Sequence, residues 1–216
     1  MAHARLILTA VLLSVLSLGG AGCGAPKPAN AASEAQPSWS DTIEWQAFHS
    51  KRFRVWLAFP EGKSWRIDDH RGVSLVATHG PSTSVVTVSA FAVPAMLNPA
   101  NCEREAIAQG LLGKAPLDAP VEDLRVDGKP ALVRVVGSEH VVDKATALKV
   151  TQGELRAVVS VDRECVVLRY QTEGSSHDVP AVSARMAAIR ARMVGAMRFD
   201  AARTGLSPTE DLRQTR

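Results

Sequence analysis

The sequence lacks the short motifs that mark several classes of active site. It contains no G-x-S-x-G nucleophile elbow, no phosphate-binding loop, no pair of histidines at metal-binding spacing and no C-x-x-C. Ser176, His177 and Asp178 are the residue types of a catalytic triad, but adjacency in sequence is not triad geometry. We interpret them as a loop and a helix cap, and the polar run 68–70 as a solvated turn. We therefore predict no catalytic residue, no metal and no cofactor.

The sequence also has little excess charge. It carries 25 basic and 22 acidic residues, a formal net charge of +3. One basic residue, Arg5, lies in the leader described next, so 24 basic residues remain against the 22 acidic ones. This balance is too small to favour nucleic acid as a partner.

The N-terminus has the three parts of a secretion signal. A short basic start ending at Arg5 precedes the apolar run 6–18, and small residues at 19–22 lead to Cys23. The run is shorter than the ~20 apolar residues of a membrane-spanning helix, and no later segment is long or apolar enough. We therefore predict a signal peptide over residues 1–22 and export from the cell.

Cys23 ends this segment at a position where a lipid can be attached. Residues 1–23, which close with Ala21-Gly22-Cys23, resemble a bacterial lipoprotein signal. The resemblance implies that Cys23 receives a diacylglycerol and an amide-linked acyl chain such as palmitate, which would anchor the protein to a membrane. The alternative is ordinary signal-peptide cleavage nearby, which would leave a soluble secreted protein.

The cysteine count agrees with lipidation. The sequence has three cysteines, and an odd cysteine in an exported protein needs an explanation. If Cys23 carries lipid, Cys102 and Cys165 remain as an even pair inside the domain. An oxidising compartment would let this pair form a disulfide that closes a loop of about 60 residues. The alternative is two separate buried thiols.

Composition divides the chain into four parts. After the signal peptide, residues 23–40 are rich in Ala, Pro and Ser without periodicity, which predicts a flexible tether. Residues 201–216 have few apolar side chains and predict a polar tail. One folded domain is expected over residues 41–200.

The first half of this domain is predicted to hold three strands and a helix. Alternating apolar side chains over 53–59 predict a strand with one buried face, and two further strands follow it. Asn98 is a favourable N-cap and Pro99 fits the first helical position, so the helix is expected to begin there. Gly113 is a plausible end for this helix.

The second half is predicted to hold four or five strands and a final helix. Bends are expected at Gly153 and at 162–163. The final helix is indicated by apolar residues at spacings of three and four: Val182, Met186, Ile189, Met193 and Met197. A short last strand is expected at 197–199. Because the strands follow one another in blocks rather than alternating with helices, we predict an α+β fold with a mainly antiparallel sheet packed between helices.

Two segments of the chain carry a resemblance to a known fold. FRVWLAFPEGKSWRI, residues 53–67, and the closing helix that runs into MRF resemble the Mog1/PsbP-like fold family. In that family a curved antiparallel sheet lies between helices as an α/β/α sandwich. Its members include photosystem accessory proteins, a nuclear transport factor and bacterial lipoproteins. The resemblance implies binding or scaffolding, although fold alone does not transfer function.

Trp56 and three arginines form a possible binding surface. Trp56 could be an exposed recognition residue, but the interpretation we favour is that helices cover both faces of its sheet and bury it. Arg185, Arg190 and Arg192 lie off the apolar stripe of the last helix. They could meet anionic lipid headgroups or an acidic partner, although a solvated helix face is the simpler interpretation.

These observations predict a lipoprotein that is anchored to a membrane through Cys23 and faces the periplasm. Which of the two membranes it occupies stays open, and the alternative is secretion. We expect a non-enzymatic binding or scaffolding module with an envelope protein or component as its partner. The alternative function is a small-molecule carrier with an apolar pocket between sheet and helix.

Overall fold

The computed structural model describes residue 39 and the ranges 43–70, 72–93, 97–114, 119–143 and 148–200, with the side chains of 140–143 and 148 left aside. The predicted signal peptide, Cys23 and the predicted tail 201–216 lie outside the described residues, as does the predicted tether except for Trp39. Trp39 is only 2% exposed, and its ring packs against those of Trp65 and Tyr170. The folded part therefore includes a residue that the sequence assigned to the tether 23–40.

The described residues form ten strands, two α-helices, a π-helical turn and two short 3-10 helices at Gly62–Ser64 and Gly80–Ser82. The elements are β1 Trp45–Ser50, β2 Val55–Pro60, β3 Trp65–Asp68, β4 Leu75–His79, β5 Ser84–Ala92, α1 Pro99–Ala108, β6 Val121–Val126, β7 Lys129–Asp143, β8 Leu148–Val161, β9 Glu164–Ser175, α2 Val179–Ala188, the π-helical turn Ile189–Val194 and β10 Arg198–Phe199. No helix among them is long and apolar enough to cross a bilayer.

The strands make two sheets. One has seven strands in the order β3-β4-β5-β9-β8-β7-β6, and the other has three in the order β1-β2-β10. Every strand pair in the described part of the chain is antiparallel. The predicted α+β class is therefore confirmed. The second sheet was not predicted, because it depends on β1, which was missed, and on β10 pairing with the distant β2.

The seven-stranded sheet lies between the two helices. Ala157 and Leu168 point to the larger core on the side of α2, whereas Val158 and Val167 point to a smaller core under α1. Strands buried on both faces have nearly continuous apolar sequences, as in the run Cys165–Leu168. The prediction of a sheet packed between helices is thus confirmed.

Two tight turns connect neighbouring strands of the seven-stranded sheet. Asp162 adopts a positive φ of 50° in the two-residue connection between β8 and β9, which confirms the bend expected at 162–163. Asp127 and Gly128, with φ of 50° and 74°, form the two-residue connection between β6 and β7. Two successive positive φ angles match the right-handed twist of a hairpin.

Helix α1 begins where the sequence predicted but ends earlier. The Asn98 side chain accepts a hydrogen bond from the Asn101 backbone N–H at 2.8 Å, and Pro99 is the first helical residue. The helix stops at Ala108 rather than near Gly113. Gly110 takes a left-handed φ of 74° and ends the helix, because a glycine pays no steric cost there.

The apolar stripe of the last helix is buried as its spacing predicted. All five stripe residues are at most 6% exposed: Val182, Met186, Ile189, Met193 and Met197. Asp178 is the N-cap residue and Pro180 lies in the first turn. From Ile189 the chain continues as the π-helical turn and then enters β10, which confirms the short last strand.

Candidate functional site

A groove of about 540 Å³ lies between helix α2 and the β7–β8 hairpin. The hairpin contributes residues 135–139 of β7 and 151–153 of β8. The helical side contributes Val179, Val182, Ser183, Met186, Ala187 and Arg190. Most of the lining is apolar, with polar side chains at the margins. The groove has the volume and the character of a small-molecule site.

Two glycines face each other across β7 and β8 inside this groove. Gly137 and Gly153 are directly paired in the strand register. A Cβ atom on Gly153 would lie 3.0 Å from atoms of both Met186 and Val182, closer than ordinary carbon contacts. A Cβ on Gly137 would meet nothing within 4 Å. Gly153 therefore allows α2 to pack closely on β8, while the space beside Gly137 stays open.

The location of Gly153 inside β8 shows that the predicted bend at this residue was wrong. We expected a bend there, but β8 runs uninterrupted from Leu148 to Val161. Glycine inside a strand can mark a close approach of another element as well as a turn. At Gly153 the approaching element is α2, because its side chains lie 3.0 Å from the place that a Cβ would occupy.

Arg190 stands at one end of the groove and makes an ion pair with Glu122 of the edge strand β6. The guanidinium Nε donates to Glu122 Oε2 at 3.0 Å, and Nη2 contacts both carboxylate oxygens. Hydrogen bonding to Arg190 lowers the pKa of the Glu122 carboxyl, and the same bonds raise the pKa of Arg190. Both side chains are nearly half exposed, so solvent can reach the pair.

Arg185, which was predicted to belong to an exposed surface, is fully buried at 0% exposure. Its Nη2 donates to the backbone carbonyl of Glu173 at 2.9 Å on strand β9. Burial lowers the pKa of its guanidinium, while Tyr170 and Asp178 act in the opposite direction. Because Arg185 follows Val182 by three residues and precedes Ile189 by four, it shares their side of the helix. It cannot belong to an exposed binding surface.

Arg192 and Trp56 lie at the three-stranded sheet. The Arg192 guanidinium is 5.9 Å from the centre of the Trp45 ring, within range of a cation–π contact. Trp56 is 43% exposed, which is contrary to the core position we favoured. Its neighbours Val55 and Leu57 are buried on the other face of β2, so alternation alone directs Trp56 outwards.

Trp56 is held by two polar neighbours. Its ring stacks on His49 with the ring centres 4.1 Å apart and the planes nearly parallel. The Trp56 indole N–H donates to Asp200 Oδ1 at 3.1 Å, and His49 Nε2 lies 3.0 Å from the same carboxylate. These contacts fix Asp200 beside the last strand. They also join three residues that the sequence did not bring together.

The disulfide between Cys102 and Cys165 is confirmed. The two Cα atoms are 5.5 Å apart, and both residues are completely buried. The bond joins α1 to β9 in the smaller core. It therefore fixes the helix that covers the face opposite the groove.

A half-buried carboxylate, a buried histidine and a buried serine are aligned beside the larger core. His79 Nδ1 lies 2.7 Å from Ser82 Oγ, and Glu61 Oε2 lies 3.3 Å from His79 Nε2. Burial lowers the pKa of His79, and Glu61 opposes this shift. Ser82 has no exposed surface, and Trp39 packs edge-on against the histidine at 5.4 Å. The serine hydroxyl is thus buried away from solvent.

The same serine belongs to a chain of buried hydroxyls. Ser82 Oγ donates to Ser84 Oγ at 2.7 Å, and Ser84 donates to Thr172 Oγ1 at 2.9 Å. The Tyr170 hydroxyl lies 3.1 Å from Ser84, and burial raises the pKa of Tyr170 to about 12. Buried polar groups that satisfy one another in this way specify a single packing arrangement.

The residues that the structure describes include no group of three metal-ligating side chains. In the polar run 68–70, the Asp68 carboxylate accepts a hydrogen bond from the His70 backbone N–H at 3.1 Å. This is the local bond of an Asx turn. The interpretation of this run as a turn therefore agrees with its geometry.

The sequence predicted, as an alternative, a pocket between sheet and helix. Of the residues that line the groove, it identified Arg190 as a possible binding residue and no other. The available signal was a glycine within each of two adjacent long strands, at Gly137 and Gly153. Interpreting this signal requires the register between β7 and β8, because only that register shows that the two glycines are neighbours.

Comparisons with known proteins show distant likenesses in structure. No protein-family model and no curated protein matches the sequence. The Ran-binding protein Mog1p of Saccharomyces cerevisiae has 11% identity and a TM-score of 0.47, with 73% of this chain and 96% of that one covered. LpqN, involved in cell envelope biogenesis of Mycobacterium tuberculosis, has 11% identity and a TM-score of 0.43, with 74% and 93% covered. At this level of similarity we draw nothing about function from either protein.

Proposed function

We propose that this chain is an exported, membrane-anchored binding module that holds an apolar small molecule in the groove between α2 and the β7–β8 hairpin. The observation that carries the proposal is the groove itself, with a volume of about 540 Å³ and a mainly apolar lining. Ligand pockets of this size are typically apolar with a few polar groups that orient the ligand. We assign the module no catalytic chemistry of its own.

A small-molecule ligand is preferred here to a protein partner because, of the four residues of the predicted binding surface, one is buried and another lies at the groove. Arg185 is buried, Arg190 lies at the groove, and Arg192 lies near Trp45. Trp56 lies at the same three-stranded sheet as Arg192, where it is engaged with His49 and Asp200. The carrier function, our alternative from the sequence, therefore has the better structural support.

Filling the groove is expected to abolish most ligand binding. Ala187 is exposed on α2 and lines the groove, so Ala187→Trp would occupy the space with an indole ring. We expect the affinity for N-phenyl-1-naphthylamine, a neutral apolar dye, to fall roughly tenfold or more. The measurement is a fluorescence titration of the purified protein with the dye.

The matched control is Ala108→Trp, which adds the same ring to the exposed end of α1 on the opposite face of the sheet. It should bind the dye as the unchanged protein does. Saturable binding that is equal in both variants would contradict the proposal, as would the absence of saturable binding to the unchanged protein.

The anchor is proposed to be lipid on Cys23. Cells that express the unchanged protein in the presence of radioactive palmitate should label it, and Cys23→Ser should remove the label. The physical reason is that the serine hydroxyl cannot form the thioether to diacylglycerol. Labelling that persists in Cys23→Ser would reject the anchor and favour simple secretion.

A further inference from the structure

Resting on the proposed function, we infer that the ligand of the groove is a single-chain amphiphile with an anionic head. Its head pairs with Arg190, and its apolar chain lies along α2 towards the tip of the β7–β8 hairpin. The class of ligand is a long-chain carboxylate, which binds as a single free molecule.

The groove is elongated, which favours one chain over a compact ring system. On the helical side its lining runs from Val179 to Arg190. At a rise of 1.5 Å per residue these eleven steps span roughly 16 Å. The groove residues on this side recur at helical spacing, so they form a stripe parallel to the helix axis.

The charges at the two ends of the groove give the ligand a direction. Arg190 is the basic residue of the lining, and Glu139 is the acidic one. Glu122, the partner of Arg190, is paired in register with Val133, six residues before Glu139 along β7. Six residues of extended strand span roughly 20 Å. An anionic head is therefore repelled from the hairpin end, and at the other end it can pair with Arg190 in place of Glu122.

The contact between Glu122 and Arg190 shows how a ligand carboxylate would bind this arginine. Glu122 engages the guanidinium through both of its oxygens, the geometry in which arginine recognises carboxylates. Because the pair is open to solvent, it contributes little to folding, and a ligand carboxylate can replace Glu122 at small cost. Burial of the apolar chain then supplies the affinity, as it scales with the apolar area removed from water.

The test compares two probes with the same chain, dodecanoate and dodecan-1-ol, each below the concentration at which it aggregates. Their affinities are measured by displacement of N-phenyl-1-naphthylamine from the purified full protein. We expect dodecanoate to bind roughly threefold more tightly than the alcohol, the size of effect of one solvent-exposed ion pair. Arg190→Gln should remove this preference and leave the alcohol unchanged within about twofold.

Two further variants make the test specific. Glu122→Gln removes the competing carboxylate and should raise the affinity for dodecanoate several-fold, without a change for the alcohol. Arg163→Gln is the control, because Arg163 is an exposed arginine in the β8–β9 turn and does not line the groove. It should leave both affinities as they are.

The outcomes separate this inference from the proposed function. Equal binding of both probes, with no effect of Arg190→Gln, would overturn the anionic head while Ala187→Trp still removed dye binding. A preference for dodecanoate that Arg163→Gln reduces as much as Arg190→Gln would also overturn it, since the preference would then follow net charge. If neither probe displaces the dye and the dye itself fails to bind, the proposed function fails as well.

Discussion

Replacing Cys102 and Cys165 together by alanine is expected to lower the free energy of unfolding by about 4 kcal/mol. The two cysteines are 63 residues apart, so the disulfide restricts a large loop in the unfolded chain. In the chain-entropy model the stabilisation grows with the logarithm of loop length. The measurement is equilibrium denaturation in urea of the unchanged protein and the double variant.

Reduction of the unchanged protein provides the control for this prediction. It removes the bond without changing the sequence, and it should reproduce most of the loss seen in the double variant. Both cysteines are fully buried, so any additional loss in the variant would report lost packing of the two sulfur atoms. Equal urea midpoints for oxidised and reduced protein would show that the disulfide does not stabilise the fold.

Gly153→Val is expected to destabilise the protein by about 1–3 kcal/mol, the usual cost of adding atoms to a well-packed region. Its Cβ would lie 3.0 Å from side-chain atoms of Met186 and Val182, so the packing of these α2 side chains against β8 would have to change. The same rearrangement should change the groove and weaken dye binding. Urea denaturation measures the first effect, and a fluorescence titration measures the second.

Gly137→Val is the matched control, because Gly137 is the direct partner of Gly153 on β7. A Cβ there meets nothing within 4 Å, and valine is favourable in a strand. We expect no loss of stability from this change. Equal stability of the two valine variants would mean that close packing of α2 does not depend on Gly153.

Local patterns predicted those features that depend on neighbours along the chain. The start of α1 followed from Asn98 and Pro99, because the side-chain cap is made within one helical turn. The bend at 162–163 followed from residues suited to a two-residue turn. The disulfide followed from compartment and cysteine count, and the structure adds that it joins α1 to β9.

The errors arose where distant elements meet. Arg185 was assigned to a solvated face off the apolar stripe of the last helix, but it is buried on the side of Val182 and donates to the Glu173 carbonyl of β9. Trp56 was assigned to the core because a second helical layer was assumed, yet its face of β2 is exposed. Whether a neighbour covers a face is decided by elements that are remote in sequence, so periodicity alone cannot report it.

The sequence by itself determined the class of fold, the pairing of two cysteines and the buried stripe of the last helix. Each of these follows from residue type, local spacing or a count. The tertiary structure decided the site. The groove exists because strand register places Gly137 beside Gly153 and because α2 packs against one of them and not the other. Register and helix docking depend on the whole core, so the groove that we propose as a ligand site has no signature in any single segment.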